Sequence, residues 1–160
     1  MSDTPQFLAR RLLDEGEKTI HFFNQIHDDQ WYLRIYVDDV EWNLHQLLAH
    51  FVSTEDSLLK LIIDIANGGE GAPEKFNIDR YNQKKVSKLE SLPISELIKL
   101  FSQHRSAMVA YVSDLPPQAL ILQGRHPFLG VIPLTEIIKL VYRHNQLHQR
   151  DIRKLLSESA

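Results

Sequence analysis

The chain contains no cysteine among its 160 residues. This absence excludes disulfides, thiolate metal ligands and cysteine nucleophiles, and it leaves histidine and carboxylate side chains as the available metal ligands. The sequence also lacks an apolar run approaching the ~20 residues that span a bilayer. Residues 1–5 have neither the basic start nor the apolar centre of a signal peptide. We therefore expect a cytoplasmic protein that does not interact with a membrane.

An excess of positive charge is absent as well, because the net charge is −3 and the lysines and arginines are scattered. Nothing in this distribution indicates a nucleic-acid partner. The hydrophobic content of 43% and charged content of 24% are ordinary for a globular protein. We expect one domain over residues 1–160, and the sequence shows neither an internal repeat nor a low-complexity segment.

Apolar residues recur at helical spacing in four long segments, which predicts an all-α protein. Thr4 and Pro5 mark the start of the first helix, and the Asn43 and Gln46 pair resembles a capping box at the start of the second. The predicted helices cover residues 5–26, 43–66, 94–113 and 133–157, with a short helix at 79–89 and loops at 28–42 and 118–132. More than twenty residues separate the second long helix from the third, so we expect a four-helix bundle with a long crossover there.

The last helix carries His144 and His148 four residues apart. Their side chains are separated by about 40° of rotation and one turn of rise, so both point into one patch. This spacing suits two ligands of a divalent metal ion, and it is also common by chance. The apolar stripe of the helix continues on the same face, which indicates that both imidazoles are buried and need a partner. The stripe consists of Leu134, Ile138, Val141, Ile152 and Leu155.

The second helix also places a histidine, His50, on its apolar stripe. Taken alone, His50 is compatible with a hydrogen-bonded core histidine. Two helices that each direct histidine inward are, however, typical of a three-ligand metal site in a bundle. His104 on the third helix is a candidate fourth ligand. We expect His21 and His27 at the surface, and His45 lies about 140° round the helix from His50, too far to share its site.

Several motifs together resemble the DinB-like (DinB/YfiT) superfamily of four-helix metalloproteins, over about residues 5–156. The motifs are Trp42-Asn43-Leu44-x-x-Leu47-Leu48-Ala49-His50-Phe51 with Glu55, then Phe76-Asn77-x-Asp79-x-x-Asn82, then His144-x-x-x-His148-x-x-x-Ile152. The resemblance implies a metal held by His50, His144 and His148, with zinc or nickel as the ion, and often a homodimer. The family pattern has glutamine three residues after the last histidine, whereas this chain has Asp151.

Characterised members of that family include thiol transferases that use bacillithiol or mycothiol, a mycothiol-dependent isomerase and domains fused to sulfur-transfer enzymes. The resemblance therefore implies a metal-dependent enzyme that acts on a small-molecule substrate. Three neutral imidazoles leave a divalent ion with an open position, which suits a bound thiol or a bound water. Because the protein has no cysteine, the thiol has to come from a low-molecular-weight cosubstrate.

Three functions remain open at this stage: thiol transfer to an electrophile, metal-dependent hydrolysis, and a non-catalytic bundle with a structural metal. A structural zinc site normally has four protein ligands, so a contribution from His104 favours the third. Candidate general bases are Glu55, Asp56 and Asp151, although Glu55 lies about 140° round the helix from His50, which favours a structural role. Three aromatic residues either line a pocket mouth or close the end of the bundle as core: Trp31, Tyr36 and Trp42.

Overall fold

The computed structural model describes residues 3–37 and 40–159, and most of these residues are helical. The elements in chain order are α1 (Pro5–Asn24), β1 (Arg34–Val37), β2 (Val40–Asn43), α2 (Leu44–Ala66), α3 (Ile78–Leu89), α4 (Ile94–Ser113), β3 (Gln123–His126), β4 (Gly130–Pro133) and α5 (Leu134–Ser159). Short 3-10 helices at Asp28–Tyr32 and Pro117–Ile121 precede β1 and β3. The predicted all-α bundle is confirmed, and α3 lies in the long crossover between α2 and α4.

The predicted helix starts are confirmed by hydrogen bonds at the caps. The Thr4 hydroxyl accepts from the Phe7 amide at 3.1 Å, and Pro5 occupies the first turn of α1. At α2 the Asn43 side chain accepts from the Gln46 amide at 2.8 Å, while the Gln46 side chain accepts from the Asn43 amide at 2.9 Å. This reciprocal pair satisfies two amides that have no partner within the helix, and it fixes where α2 begins.

The prediction of loops at 28–42 and 118–132 was wrong. Each segment contains a 3-10 turn followed by an antiparallel two-stranded hairpin, β1–β2 or β3–β4. Four residues per strand are too few to show a clear alternation of apolar and polar side chains. Each hairpin is tied to the helix that follows it, because the Leu44 amide donates to the Leu33 carbonyl at 3.0 Å and the Leu134 amide to the Leu122 carbonyl at 2.8 Å.

The two halves of the chain have the same order of elements, a repeat that the sequence does not reveal. Each half runs from a 20-residue helix through a five-residue 3-10 turn and a hairpin into a long helix. The first helices are related by an offset of 89 residues, and the second helices by 90, because the turn of the second hairpin is one residue longer. The backbone pattern therefore repeats although the side chains differ.

The main contacts between the long helices join the first half of the chain to the second half. Helices α1 and α2 each pack against both α4 and α5, and α3 packs on α2. Two apolar clusters fill the bundle, one containing Leu12, Leu58 and Met108 and the other Phe51 and Phe101. Between these clusters along the helices lie buried polar side chains, which we name the polar layer: Glu15, Thr19, His50, Glu55, Arg105, Asn145, His148 and Gln149. In the described part of the chain, no helix is long and apolar enough to cross a bilayer.

Candidate metal centre

The structure brings the half-buried His144 together with His50 and His148 of the polar layer. One ring nitrogen from each residue lies within 4.8 Å of the others. The Nε2 atoms of His144 and His148 are 2.8 Å apart, and the ring centroid of His50 is 5.5 Å from that of His144 and 5.9 Å from that of His148. Residues that are 94 positions apart in the chain thus form a single three-histidine cluster.

Aromatic residues hold the imidazoles in place. Trp42, the third residue of β2, packs its buried ring on His50 with centroids 4.9 Å apart. Phe51 contacts the other two rings, with its centroid 6.2 Å from that of His144 and 5.6 Å from that of His148. Since the Asn43 cap fixes the start of α2 between Trp42 and His50, the hairpin and the helix together set the position of this ligand.

Burial keeps two histidines of the cluster, His50 and His144, neutral. Removal from water lowers the pKa of His50 to about 3, and the charge of His148 contributes in the same direction. The pKa of His144 is also well below its ordinary value, mainly through burial and then through His148, His50 and His126. Burial disfavours the charged imidazolium form. Near neutral pH both rings therefore have a lone pair available, which is the state that a metal ligand requires.

The cluster fits a divalent transition metal ion. The Nδ1 atoms of His50 and His144 are buried without a hydrogen-bond partner among the described residues. A buried polar atom without a partner is rare unless water or an ion is bound. Ligand nitrogens around a tetrahedral zinc are about 3.3 Å apart, so the observed spacing requires only small ring movements. An all-imidazole donor set suits zinc and nickel better than calcium or magnesium.

The other candidate ligands and bases lie outside the cluster. His104 is half-buried on α4, and the three-histidine group contains no carboxylate of the described residues. Glu55 is paired with Arg105, Asp56 forms a salt bridge with Lys60 at 3.0 Å, and Asp151 is exposed. Within residues 3–37 and 40–159, the cluster thus contains three histidines and no carboxylate.

His21, His27 and His45 lie outside the cluster, as the sequence predicts. His21 and His27 are exposed. The Nε2 atom of His45 is 2.8 Å from the carbonyl oxygen of Leu92, so this ring donates to the backbone before α4. His45 therefore forms its hydrogen bond outside the cluster, which agrees with its predicted position about 140° round the helix from His50.

The core interpretation holds for two of the three aromatic residues. Trp31 and Trp42 are buried in the core, and Trp31 stacks on Phe23 with ring centroids 5.9 Å apart. Tyr36, by contrast, is 72% exposed on β1. The tryptophans therefore close the end of the bundle, and Tyr36 contributes nothing to the core.

The sequence analysis missed His126, which lies on β3 and is 8% exposed. Its Nδ1 atom accepts hydrogen bonds from the amides of Phe128 at 3.1 Å and Leu129 at 3.3 Å. The neutral ring therefore carries its proton on Nε2. His126 lies close enough to His144 for its charge to lower the pKa of that residue. The signal was the alternation of buried Gly124 and His126 along β3, which is too short to recognise in isolation.

The family profile of the DinB superfamily matches residues 11–152 of the chain. The chain belongs to the DinB superfamily. This assignment confirms the resemblance based on the tryptophan and histidine motifs. No curated protein matches the sequence.

Solved structures with the same fold include several DinB-like proteins. An uncharacterised protein from Escherichia coli UTI89 has a TM-score of 0.75 at 14% identity, over 99% of this chain and 96% of that one. A mycothiol-dependent maleylpyruvate isomerase has a TM-score of 0.73 at 14% identity, over 92% of this chain but only 58% of the isomerase. The colibactin self-resistance protein ClbS, solved with double-stranded DNA, has a TM-score of 0.64 at 13% identity, over 91% and 95% of the two chains. At such low identity these matches establish the shared fold alone.

Proposed function

We propose that this DinB superfamily protein is a cytoplasmic, metal-dependent enzyme that transfers a low-molecular-weight thiol to an electrophile. His50, His144 and His148 hold one zinc or nickel ion in this proposal. The observation that carries it is the cluster of three imidazoles from two helices, two buried and one half-buried, with no fourth protein ligand among the described residues. An ion bound this way keeps its positive charge and an open position, which stabilises a thiolate near neutral pH.

Two further observations support a thiol as the cosubstrate. The chain has no cysteine of its own, so the sulfur nucleophile has to come from a small molecule. A protein with the same fold is a mycothiol-dependent isomerase. Because this chain spans only 58% of the isomerase, the proposal adopts the thiol cosubstrate and not the isomerase reaction.

The residues around the cluster supply the rest of a substrate site. Phe51 and Trp42 cover the inner side of the imidazoles, while His144 is only half-buried and marks the side open to a substrate. His126 offers an Nε2–H donor near His144. The neighbouring side chains of Phe128 and Leu129 are exposed and apolar, and they provide a surface for the organic part of an electrophile.

The competing functions receive less support from the geometry. Hydrolysis by a bound water is helped by a nearby general base, and the cluster contains no carboxylate of the described residues. A structural zinc site needs a fourth protein ligand, and His104 is not in the cluster. The net charge of −3 does not favour DNA as a partner.

The test is a transfer assay with protein loaded with zinc or nickel. Bacillithiol, mycothiol, glutathione and coenzyme A are each combined with 1-chloro-2,4-dinitrobenzene, and formation of the carbon–sulfur bond with release of chloride is followed by absorbance. Ester and amide panels test hydrolysis in parallel. We expect transfer with at least one thiol by the wild type, and loss of transfer in His50→Ala with the helical fold largely kept.

The control is metal content, measured for each variant beside its activity. If metal-saturated wild type transfers no thiol to any electrophile tested while His50→Ala unfolds, the cluster is a structural clamp and the proposal is wrong. Hydrolysis of an ester or amide without thiol transfer would mean that the protein is a hydrolase and not a thiol transferase.

A further inference from the structure

Arg105 of α4 is the one arginine in the polar layer, and its guanidinium joins four helices. Arg105 is 3% exposed. Its Nε and Nη2 atoms donate to the two carboxylate oxygens of Glu55 on α2 at 2.8 and 2.5 Å. Nη2 also donates to the Asn145 side chain on α5 at 2.5 Å, and Nη1 donates to the Leu12 carbonyl on α1 at 2.8 Å. We name these four residues the arginine clamp.

Two members of the clamp lie beside the metal ligands in the chain. Glu55 follows His50 by five residues on α2, and Asn145 is adjacent to His144 and three residues before His148 on α5. The helix that carries Arg105 supplies no histidine to the cluster. A planar guanidinium that makes paired hydrogen bonds fixes the position and orientation of its partners. The clamp therefore fixes α2 and α5 relative to each other, within about one and a half turns of the ligands.

Gly16 in the middle of α1 makes room for this arginine. A β-carbon at Gly16 would lie 2.8 Å from Cγ and 3.0 Å from Nη1 of Arg105. Glycine weakens a helix interior, so its presence there needs a cause in packing. The offset of 89 residues makes Gly16 and Arg105 equivalent positions in the two halves, and the offset of 90 does the same for Glu55 and Asn145. The clamp thus joins equivalent positions of both halves, with the large side chain on one half and glycine on the other.

We propose that Arg105 is a positioning residue for the three-histidine centre. Through Glu55 and Asn145 it sets the register of α2 against α5, and so the separation of His50 from His144 and His148. This inference rests on the proposed function, because it assumes that the histidines bind a metal ion. The alternative is that the clamp stabilises the fold without affecting the geometry of the ligands.

The experiment compares zinc affinity with fold stability in matched variants. Zinc affinity is measured by competition with a chromophoric chelator, the visible absorption of the cobalt-loaded protein reports the ligand geometry, and the melting temperature is measured without metal. We expect Arg105→Met to bind zinc about tenfold more weakly than the wild type and to have an altered cobalt spectrum. Loss of a residue that orients metal ligands typically weakens metal binding by about 10- to 100-fold. Gly16→Ala should have the same effects while every partner of Arg105 is retained.

A double variant, Glu55→Leu with Arg105→Met, separates positioning from stability. It leaves no unpaired buried charge, so its melting temperature should recover relative to Arg105→Met alone. Its zinc affinity should remain about tenfold weaker, because the link between α2 and α5 is still missing. If Arg105→Met does not fold, this variant provides the test by itself.

Val112→Ala is the matched control. Val112 also lies on α4, but it belongs to the apolar cluster that does not contain Phe51. It should lower the melting temperature while the zinc affinity and cobalt spectrum stay at the wild-type values. Three results would overturn the inference. The first is a loss of zinc affinity in Val112→Ala that is as large, relative to its loss of melting temperature, as the loss in Arg105→Met. The second is a double variant in which zinc affinity recovers together with the melting temperature, and the third is Arg105→Met that binds zinc as tightly as the wild type. Wild-type protein that binds no zinc would instead overturn the proposed function.

Discussion

Acidification of the metal-free protein from pH 7 to pH 5 should destabilise it through His50. The pKa of this residue is about 3 in the folded protein, against 6.5 for a free histidine. The unfolded chain therefore binds a proton between these values that the folded chain does not. The stability that neutral His50 contributes is complete above pH 6.5 and is lost as the pH falls toward 3. Between pH 7 and pH 5 the loss from His50 alone is about 2 kcal/mol.

Urea denaturation at a series of pH values measures this loss directly. With a slope of about 2 kcal/mol per molar urea, the midpoint should fall by about 1 M over the same interval. The pKa of His144 is shifted in the same direction, so it adds to the decrease. Glu15, whose pKa is lowered from 4.5 by hydrogen bonds and charges despite its burial, titrates below this interval.

The control is His50→Leu, which removes the titrating ring and keeps an apolar side chain of similar size beside Trp42. Its free energy of unfolding should depend less steeply on pH than that of the wild type, by about 2 kcal/mol between pH 7 and pH 5. Parallel curves for the two proteins would refute the reasoning, because they would mean that His50 ionises equally in the folded and unfolded states.

Three other predictions concern the fold, the ligand set and the assembly. Asn43→Ala should lower the free energy of unfolding by about 1 kcal/mol in urea denaturation, since it removes the cap of α2; no change would mean that water replaces the cap at no cost. His104→Ala should retain the full metal content by elemental analysis, because His104 lies outside the cluster, and loss of the ion would identify it as a ligand. Sedimentation should show a homodimer at micromolar concentration, as the family resemblance implies; a clean monomer would exclude it.

The sequence predicted the long helices and the three histidines because both depend on local periodicity. Helix spacing placed His144 and His148 on one face, and the capping box fixed α2 well enough to orient His50. The same method assigned both hairpins to loops, since their stability comes from cross-strand pairs and from the helices beneath them. His126 was missed for that reason.

The role of Arg105 could not be predicted from the sequence, for a different reason. On α4 it follows Phe101 by four residues and precedes Met108 by three, so it lies on the apolar stripe. His104 has a similar position, three residues after Phe101 and four before Met108, so helical spacing does not distinguish the two residues. The deciding partners, Glu55 and Asn145, are 50 and 40 residues away in the chain. Only the packing of α1 and α2 against α4 and α5 brings them together.

The number of divalent ions bound per chain tests the central claim most directly. Wild-type protein is titrated with zinc and with nickel against a chromophoric chelator at pH 7.5, beside His50→Ala, His144→Ala and His148→Ala. We predict one ion per wild-type chain, with binding lost in His144→Ala and His148→Ala and weakened in His50→Ala. Wild-type protein that binds neither metal, or histidine variants that bind as tightly as the wild type, would contradict a metal centre built from these three residues.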